Sequence, residues 1–149
     1  MVRETSLFTL SDAEGRILLQ HRTDDAPVLA GMWGFFGGGV EGRETPEEGL
    51  RREAGEELEI ELPPMEKLGV FVREAIVPVR DPITCHLFLG SFEALAIDLS
   101  RLKSSQREGQ DLGLFSFDEI VRLPHTSRDH VLFRTIARRL GREFEAHGE

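Results

Sequence analysis

The chain has 149 residues, of which 18 are basic and 27 acidic, so its formal net charge is -9. This length suits one ordinary domain, and residues 1–149 are predicted to form a single unit. A long nucleic acid would meet net repulsion, which argues against that class of partner. The single cysteine, Cys85, excludes an intramolecular disulfide and therefore a secreted disulfide scaffold.

The N-terminal segment bears on location. Residues 1–5 include Arg3 and Glu4 and lack the apolar core of a signal peptide. No stretch of about 18 apolar residues occurs along the chain, so no membrane-spanning helix is expected. We therefore expect a cytoplasmic protein without a membrane partner.

Two apolar-rich segments open the chain. Residues 4–10 and 16–20 are separated by a segment whose Asp12 and Gly15 are turn formers, so the pattern predicts a β-hairpin. Three consecutive glycines follow at 37–39, where the backbone is free to adopt conformations closed to other residues.

The clearest helix signal begins at Thr45. Pro46 takes the first helical position and Glu48 lies three residues after the threonine, which is the pattern of a capping box. The helix is predicted to run to about Leu58, with Gly55 costing roughly 1 kcal/mol relative to alanine. Its predicted buried stripe recurs every four residues: Leu50, Ala54 and Leu58.

The second half of the chain is predicted to alternate strands with polar connections. Residues 67–79 and 83–94 are rich in β-branched and aromatic residues and are predicted to form two long strands joined at 80–82. A polar loop is expected at 100–111 and a short strand at 112–117.

A last helix is predicted near the end of the chain. Ser127 is its expected cap, Gly141 its stop, and the tail from 142 to 149 is expected to fray. Its predicted apolar face comprises Val131, Leu132, Ile136 and Leu140. Strands dominate this order of elements, which indicates an α+β fold with a mixed sheet covered by helices.

Three carboxylates share about one turn of the first helix. Glu53, Glu56 and Glu57 would repel one another by roughly 0.2–0.5 kcal/mol per close pair unless a cation offset their charge. Arg52 supplies part of that charge, and Mg²⁺ or Mn²⁺ would supply more because hard cations prefer oxygen ligands. A solvated acidic helix face explains the same pattern, so the helix alone leaves both interpretations open.

The spacing around this helix is more specific. Seven residues stand at fixed intervals: Gly38, Glu44, Arg52, Glu53, Glu56, Glu57 and Ile60. In this box, residues 38–60, the chain resembles the Nudix hydrolase family and its small MutT-like members. The resemblance implies an α/β/α sandwich with a mixed central sheet. Two positions depart from the family pattern: Ala54 replaces a bulky aliphatic residue, and Glu59 replaces a glycine that would relieve a left-handed backbone.

The resemblance also implies a chemistry. It is the hydrolysis of a phosphoanhydride in a nucleoside diphosphate linked to another group, by water that Mg²⁺ or Mn²⁺ activates. The implied metal ligands are Glu53, Glu56, Glu57, the Gly38 carbonyl and Glu108. Glu53 or a loop glutamate is implied as the base, and Arg52 and Glu44 complete the catalytic set by orienting the carboxylates. Two of these residues have simpler interpretations. Glu44 also fits a simple anion near the start of a helix, and Glu108 also fits an ordinary exposed acid in a loop.

Arg22, Trp33 and Phe35 are candidates for substrate binding. Arginine meets phosphate and aromatic rings stack on a base, but alternating apolar residues are also typical of a core strand. The implied substrate is a small nucleotide-like molecule: a nucleoside triphosphate, a dinucleoside polyphosphate or a nucleotide sugar. The alternative is a catalytically silent Nudix-fold module that senses a nucleotide. Dimers are frequent in the family, so a homodimer is also considered.

Overall fold

A computed structural model describes residues 3–26, 29–73 and 82–145. Its strands are β1 (Arg3–Ser11), β2 (Ile17–His21), β3 (Trp33–Gly34), β4 (Phe36–Gly39), β5 (Glu66–Arg73), β6 (Ile83–Ser91) and β7 (Asp111–Phe115). Its α-helices are α1 (Pro46–Leu58), α2 (Leu99–Ser104), α3 (Phe117–Arg122) and α4 (His130–Arg139). Short 3₁₀ turns lie at Glu93–Leu95 and Ser127–Asp129.

The strand β1 lies at the centre of a mixed sheet. Parallel β6 follows it from Arg3, paired with Ile83, to Ser11, paired with Ser91. Antiparallel β4 and β2 both pair with β1, which confirms the predicted opening hairpin. Beyond them, β5 extends the sheet from β6, while β3 and β7 pair with β2. The predicted mixed sheet is confirmed.

Alternate side chains of the sheet enter two separate cores. Leu7 and Ile17 pack with buried residues of α3 and α4 on one face. Phe8 and Leu18 pack with residues of α1 and α2 on the other. This alternation follows from the two-residue period of a strand, and it gives the predicted α/β/α sandwich. Among the described residues, no helix combines the length and apolarity needed to cross a membrane.

The helix α1 has the predicted bounds and cap. The Thr45 side chain accepts a hydrogen bond from the Glu48 amide, and the Glu48 carboxylate accepts one from the Thr45 amide. All three residues of the predicted stripe are fully buried: Leu50, Ala54 and Leu58. The helix ends at Glu59, whose φ of 56° and ψ of 40° place it in the left-handed region.

Two strand and loop predictions need correction in the middle of the chain. The strand predicted at 83–94 ends at Ser91, where a 3₁₀ turn begins soon after. The loop predicted at 100–111 contains α2, because Asp98 caps it through the Arg101 amide at 2.8 Å and Leu102 is fully buried. The strand predicted at 67–79 is present as β5, and its part from 74 lies outside the described residues.

The C-terminal predictions also need correction. The strand predicted at 112–117 stops at Phe115, because Ser116 caps the unpredicted helix α3 with a capping box. Ser127 lies in a 3₁₀ turn and does not cap α4, which begins at His130. Val131 is exposed, unlike the rest of the predicted face. Residues 142–145 do not fray, because Phe144 packs in the core against Phe117 and Phe133; the rest of the predicted tail, 146–149, lies outside the described residues.

Substitution of Gly55 tests the cost of a glycine inside α1. A β-carbon at position 55 would meet nothing within 4 Å, so Gly55→Ala should gain about 1 kcal/mol of unfolding free energy from helix propensity alone. Urea denaturation followed by circular dichroism measures the gain. Gly37→Ala is the matched control and should destabilise, since its β-carbon would lie 2.0 Å from the Ser6 carbonyl oxygen. An unchanged Gly55→Ala midpoint would contradict the prediction.

Candidate active site

The glycines of β4 allow the sheet to approach α1 closely. Gly37 has a φ of +136°, a conformation that L side chains rarely adopt. At Gly38, a β-carbon would stand 2.6 Å from a carboxylate oxygen of Glu53. The absence of a side chain at position 38 therefore leaves the space that the Glu53 carboxylate occupies.

Arg52 binds the glutamate that precedes α1. Its Nε donates to Glu44 Oε2 at 2.7 Å and its Nη2 donates to Glu44 Oε1 at 3.1 Å, which is a bidentate contact. The hydrogen bonds from Arg52 lower the pKa of Glu44, and those to Glu44 raise the pKa of Arg52 above its usual range. Both groups are therefore charged at neutral pH.

The same guanidinium also reaches the acidic face of α1. Arg52 Nη1 donates to Glu53 Oε1 at 3.1 Å and to Glu56 Oε1 at 3.2 Å. Its Nη2 donates to the Gly39 carbonyl at 2.9 Å. One cation thus fixes Glu44, Glu53 and Glu56 relative to the end of β4, which is the contact expected of a group that orients carboxylates.

Glu57 is the buried carboxylate of the site. Only 1% of its surface is exposed, and its Oε2 accepts a hydrogen bond from the Gly37 amide at 3.2 Å. Burial raises the pKa of Glu57 to about 9, and contact with the Glu108 carboxyl and the charge of Glu53 raise it as well. Burial likewise raises the pKa of Glu53, against the opposing effect of Arg52. Without a cation, an ionised Glu57 is therefore unfavourable in this position.

Glu108 reaches Glu57 from the segment between α2 and β7. Although Glu108 itself is exposed, it lines the same pocket as Glu57, and its carboxyl contributes to the raised pKa of Glu57. The neighbouring Arg107 amide donates to the Glu57 carbonyl oxygen at 2.7 Å. The predicted loop glutamate therefore meets the glutamates of α1 in space.

These oxygen donors fit a hard divalent cation in chemistry. Carboxylates and a backbone carbonyl are the ligands that Mg²⁺ and Mn²⁺ prefer, and the mutual repulsion of Glu53, Glu57 and Glu108 is what a cation relieves. Within 3–26, 29–73 and 82–145, no three acidic, histidine or cysteine side chains already stand in an arrangement that would hold a metal ion. In this structure, Glu53 and Glu56 instead form ion pairs with the Arg52 guanidinium.

A pocket of about 190 Å³ extends from Glu57 into the fold. Five of the predicted residues line it: Arg22, Trp33, Phe35, Glu57 and Glu108. The other five do not line it: Gly38 lies in β4, Glu44 in the loop before α1, and Arg52, Glu53 and Glu56 on α1. The substrate-binding candidates and two of the metal-binding candidates thus share one cavity, while Arg52 and its partners lie beside it.

The aromatic walls of the pocket also serve the core. Trp33 stacks on His21, with ring centroids 4.5 Å apart and planes within 4°. Phe35 is buried and packs on Phe133 at 5.0 Å. Phe35 is therefore a core residue and Trp33 packs against the core, and both also line the cavity, so their role in substrate binding stays a prediction.

Sequence reasoning missed the charged end of the pocket. Arg73, from β5, donates a hydrogen bond to Asp129, from the turn before α4, and both are buried. Gln20 and Thr126 also line the cavity. No spacing pattern relates these residues, since 56 positions separate Arg73 from Asp129. The one available signal was an arginine at the end of an apolar strand.

Comparison with known proteins identifies the class to which this fold and site belong. The family profile described as NUDIX domain matches residues 2–136. The chain therefore belongs to the NUDIX family, and the resemblance given by the box at 38–60 is confirmed.

Individual relatives are more distant. The chain is 45% identical over 58 residues to "Nucleoside triphosphatase NudI" of Escherichia coli O139:H28, a match that spans 39% of this chain and 41% of that protein. The MutT protein of Methanosarcina mazei Go1 has the same fold, with a TM-score of 0.75, 20% identity, and 93% and 95% of the two chains covered. The Nudix domain of Shewanella oneidensis NrtR, solved with ADP ribose, also has this fold, with a TM-score of 0.65 and 20% identity. The match covers 94% of this chain and 88% of that one.

The buried Glu57 predicts how stability depends on pH. Its pKa is raised on folding, so the metal-free folded state retains a proton that the unfolded state has lost, and stability falls as the pH rises from about 5 towards 9. Glu57→Gln should remove part of this dependence and be the more stable protein at pH 8. Thermal unfolding in a metal chelator, at several pH values, measures it. A parent whose stability rises over that range as steeply as the variant's would contradict the prediction.

Adjacent glycines provide a test of the Glu53 position. Gly38→Ala should displace the Glu53 carboxylate and lower Mn²⁺ affinity by about tenfold, the range seen when a metal ligand loses its support. Gly39→Ala is the matched control, because a β-carbon there meets nothing within 4 Å. Titration of each variant with Mn²⁺ measures the affinity. Equal affinities in the two variants would exclude Glu53 as a ligand.

Proposed function

We propose that this protein hydrolyses a phosphoanhydride in a nucleoside diphosphate linked to another group, with Mg²⁺ or Mn²⁺ as cofactor. The observation that carries the proposal is the buried Glu57 carboxyl beside Glu108, at the end of a pocket that also exposes Arg22 and Trp33. Membership of the NUDIX family supports it. So does the local similarity to a nucleoside triphosphatase.

The cation would be held by Glu53, Glu56, Glu57, Glu108 and the Gly38 carbonyl. When bound, it supplies charge neutralisation of the anhydride oxygens and a lower pKa for water. Arg52 keeps Glu53 and Glu56 at fixed places on the helix face through direct hydrogen bonds. Glu44 fixes Arg52 in turn through the bidentate contact, so its contribution to catalysis is to hold the arginine still.

Glu53 is the better placed of the two candidate bases. Its burial raises the pKa of its carboxyl, which makes it a stronger proton acceptor near neutral pH. Arg52 holds one of its oxygens, which leaves the other available to water. Glu108 is the second candidate, because it lines the pocket together with Glu57.

The pocket supports a small nucleotide-like substrate. Arg22 supplies positive charge for phosphate, and the Trp33 ring is held rigidly by His21 and by Phe115, whose centroid lies 4.8 Å away. The buried Arg73 and Asp129 offer a donor and an acceptor to polar groups of the base or sugar. Nucleoside triphosphates and ADP-ribose head the panel of compounds because proteins similar to this chain are described with that activity and that ligand.

A nucleotide panel with and without Mg²⁺ tests the function. The parent should cleave at least one nucleoside triphosphate, dinucleoside polyphosphate or nucleotide sugar, and Glu57→Gln should lower turnover more than tenfold while remaining folded. Phosphate release and chromatography of the products measure both. Near-normal Mg²⁺-dependent turnover in Glu57→Gln would overturn its assignment as a ligand.

The panel also separates the enzyme from a sensor. Tight binding of one nucleotide without cleavage in Mg²⁺ or Mn²⁺ would replace the hydrolase with a silent nucleotide-binding module. The presence of Glu53, Glu56 and Glu57 together favours the hydrolase, since a module without catalysis has no need of all three. The homodimer and the cytoplasmic location stay predictions.

A further inference from the structure

Glu59 adopts a backbone conformation that favours glycine. Its φ is 56°, and its amide donates to the Gly55 carbonyl at 3.1 Å to close the last turn of α1. A side chain in the left-handed region costs stability because the β-carbon crowds the backbone. Such strain persists where another contact compensates for it, so a compensating contact is expected from the Glu59 side chain.

The Glu59 carboxylate binds the segment that carries Glu108. Arg107 Nη2 donates to Glu59 Oε1 at 2.6 Å, and the Arg107 amide donates to the Glu57 carbonyl at 2.7 Å. This ion pair joins residues 48 positions apart in sequence and attaches the end of α1 to Arg107, the neighbour of Glu108. A glycine at position 59 would leave only the backbone contact.

The other side of this segment is tied to β2. The Gln110 amide donates to the His21 carbonyl at 2.8 Å, and the Gln110 side chain donates to the Arg22 carbonyl at 2.8 Å. Between the two attachments, Gly109 has a φ of +81° and passes close to the His21 carbonyl. Residues 107–110 are therefore fixed at both ends, with Glu108 adjacent to the contact with α1.

We propose that Glu59, through its ion pair with Arg107, is a positioning residue that holds Glu108 against Glu57. Where a glycine would only relieve the backbone strain, the Glu59 side chain attaches the end of α1 to the segment that carries Glu108. The inference rests on the proposed function in that Glu57 and Glu108 act there on one cation. Because the pair is exposed, its effect is on the order of a few-fold and weakens as salt increases.

Glu59→Gly is the decisive variant because its two effects have opposite signs. Removal of the strained β-carbon should raise the thermal midpoint by roughly 2–4 °C. Loss of the ion pair should weaken Mn²⁺ binding about three- to fivefold at low salt and speed hydrogen exchange at the Arg107 amide. Titration with Mn²⁺ alone and exchange followed by NMR measure the two losses.

Arg107→Ala is the matched control, because it removes the ion pair and keeps the strain. It should weaken Mn²⁺ binding as much as Glu59→Gly without raising the thermal midpoint, and the double variant should show no further loss of affinity. The exchanged pair, Glu59→Arg with Arg107→Glu, should restore affinity.

Three results would overturn the proposal. The first is that Mn²⁺ affinity and hydrogen exchange at the Arg107 amide stay unchanged in both single variants. The second is that Glu59→Gly lowers both the thermal midpoint and the Mn²⁺ affinity. The third is that the exchanged pair does not recover Mn²⁺ affinity. Failure of the proposed function gives a different result. A parent that binds Mn²⁺ but cleaves no nucleotide leaves the affinity and exchange measurements intact.

Discussion

Repulsion among the carboxylates gathered around α1 is the constraint on which this site depends. Arg52 offsets part of it on the solvent side, where Glu44, Glu53 and Glu56 surround one guanidinium. Glu57 lies on the inner side, where burial makes its charge most costly. The glycines of β4, the cap of α1 and the attachment of residues 107–110 all serve to keep these like charges close together. Folding thus brings together like charges whose repulsion a divalent cation would relieve in the proposed function.

The parts of the fold that depend on local chemistry could be predicted from the sequence. The helix α1 was predicted correctly because its cap, its proline and its buried stripe lie within 14 residues of one another. The spacing from Gly38 to Ile60 indicated the family because it resembles the family's signature, and within α1 a helix converts such intervals into fixed positions in space. The mixed sheet followed from an order of elements in which strands dominate and a few helices cover them.

The parts that depend on distant contacts could not be predicted. The helices α2 and α3 are each six residues long, too short for a periodic pattern, and neither was predicted. Phe144 lies in a polar tail and is buried only because Phe117 and Phe133 leave space for it. The pair of Arg73 and Asp129 joins two elements that no motif connects, so the inner end of the pocket appeared only in three dimensions.

That buried pair bears on discrimination between ligands. An apolar cavity rejects a wrong ligand weakly, since a missing methylene costs only about 1–3 kcal/mol. A cavity with buried charged groups rejects a mismatched ligand more strongly. A ligand without matching polar groups would exclude water from Arg73 and Asp129 and form no hydrogen bonds to replace it. In the proposed function, Arg73 and Asp129 would therefore discriminate between ligands by their polar groups, whereas the aromatic walls would select mainly for flatness and size.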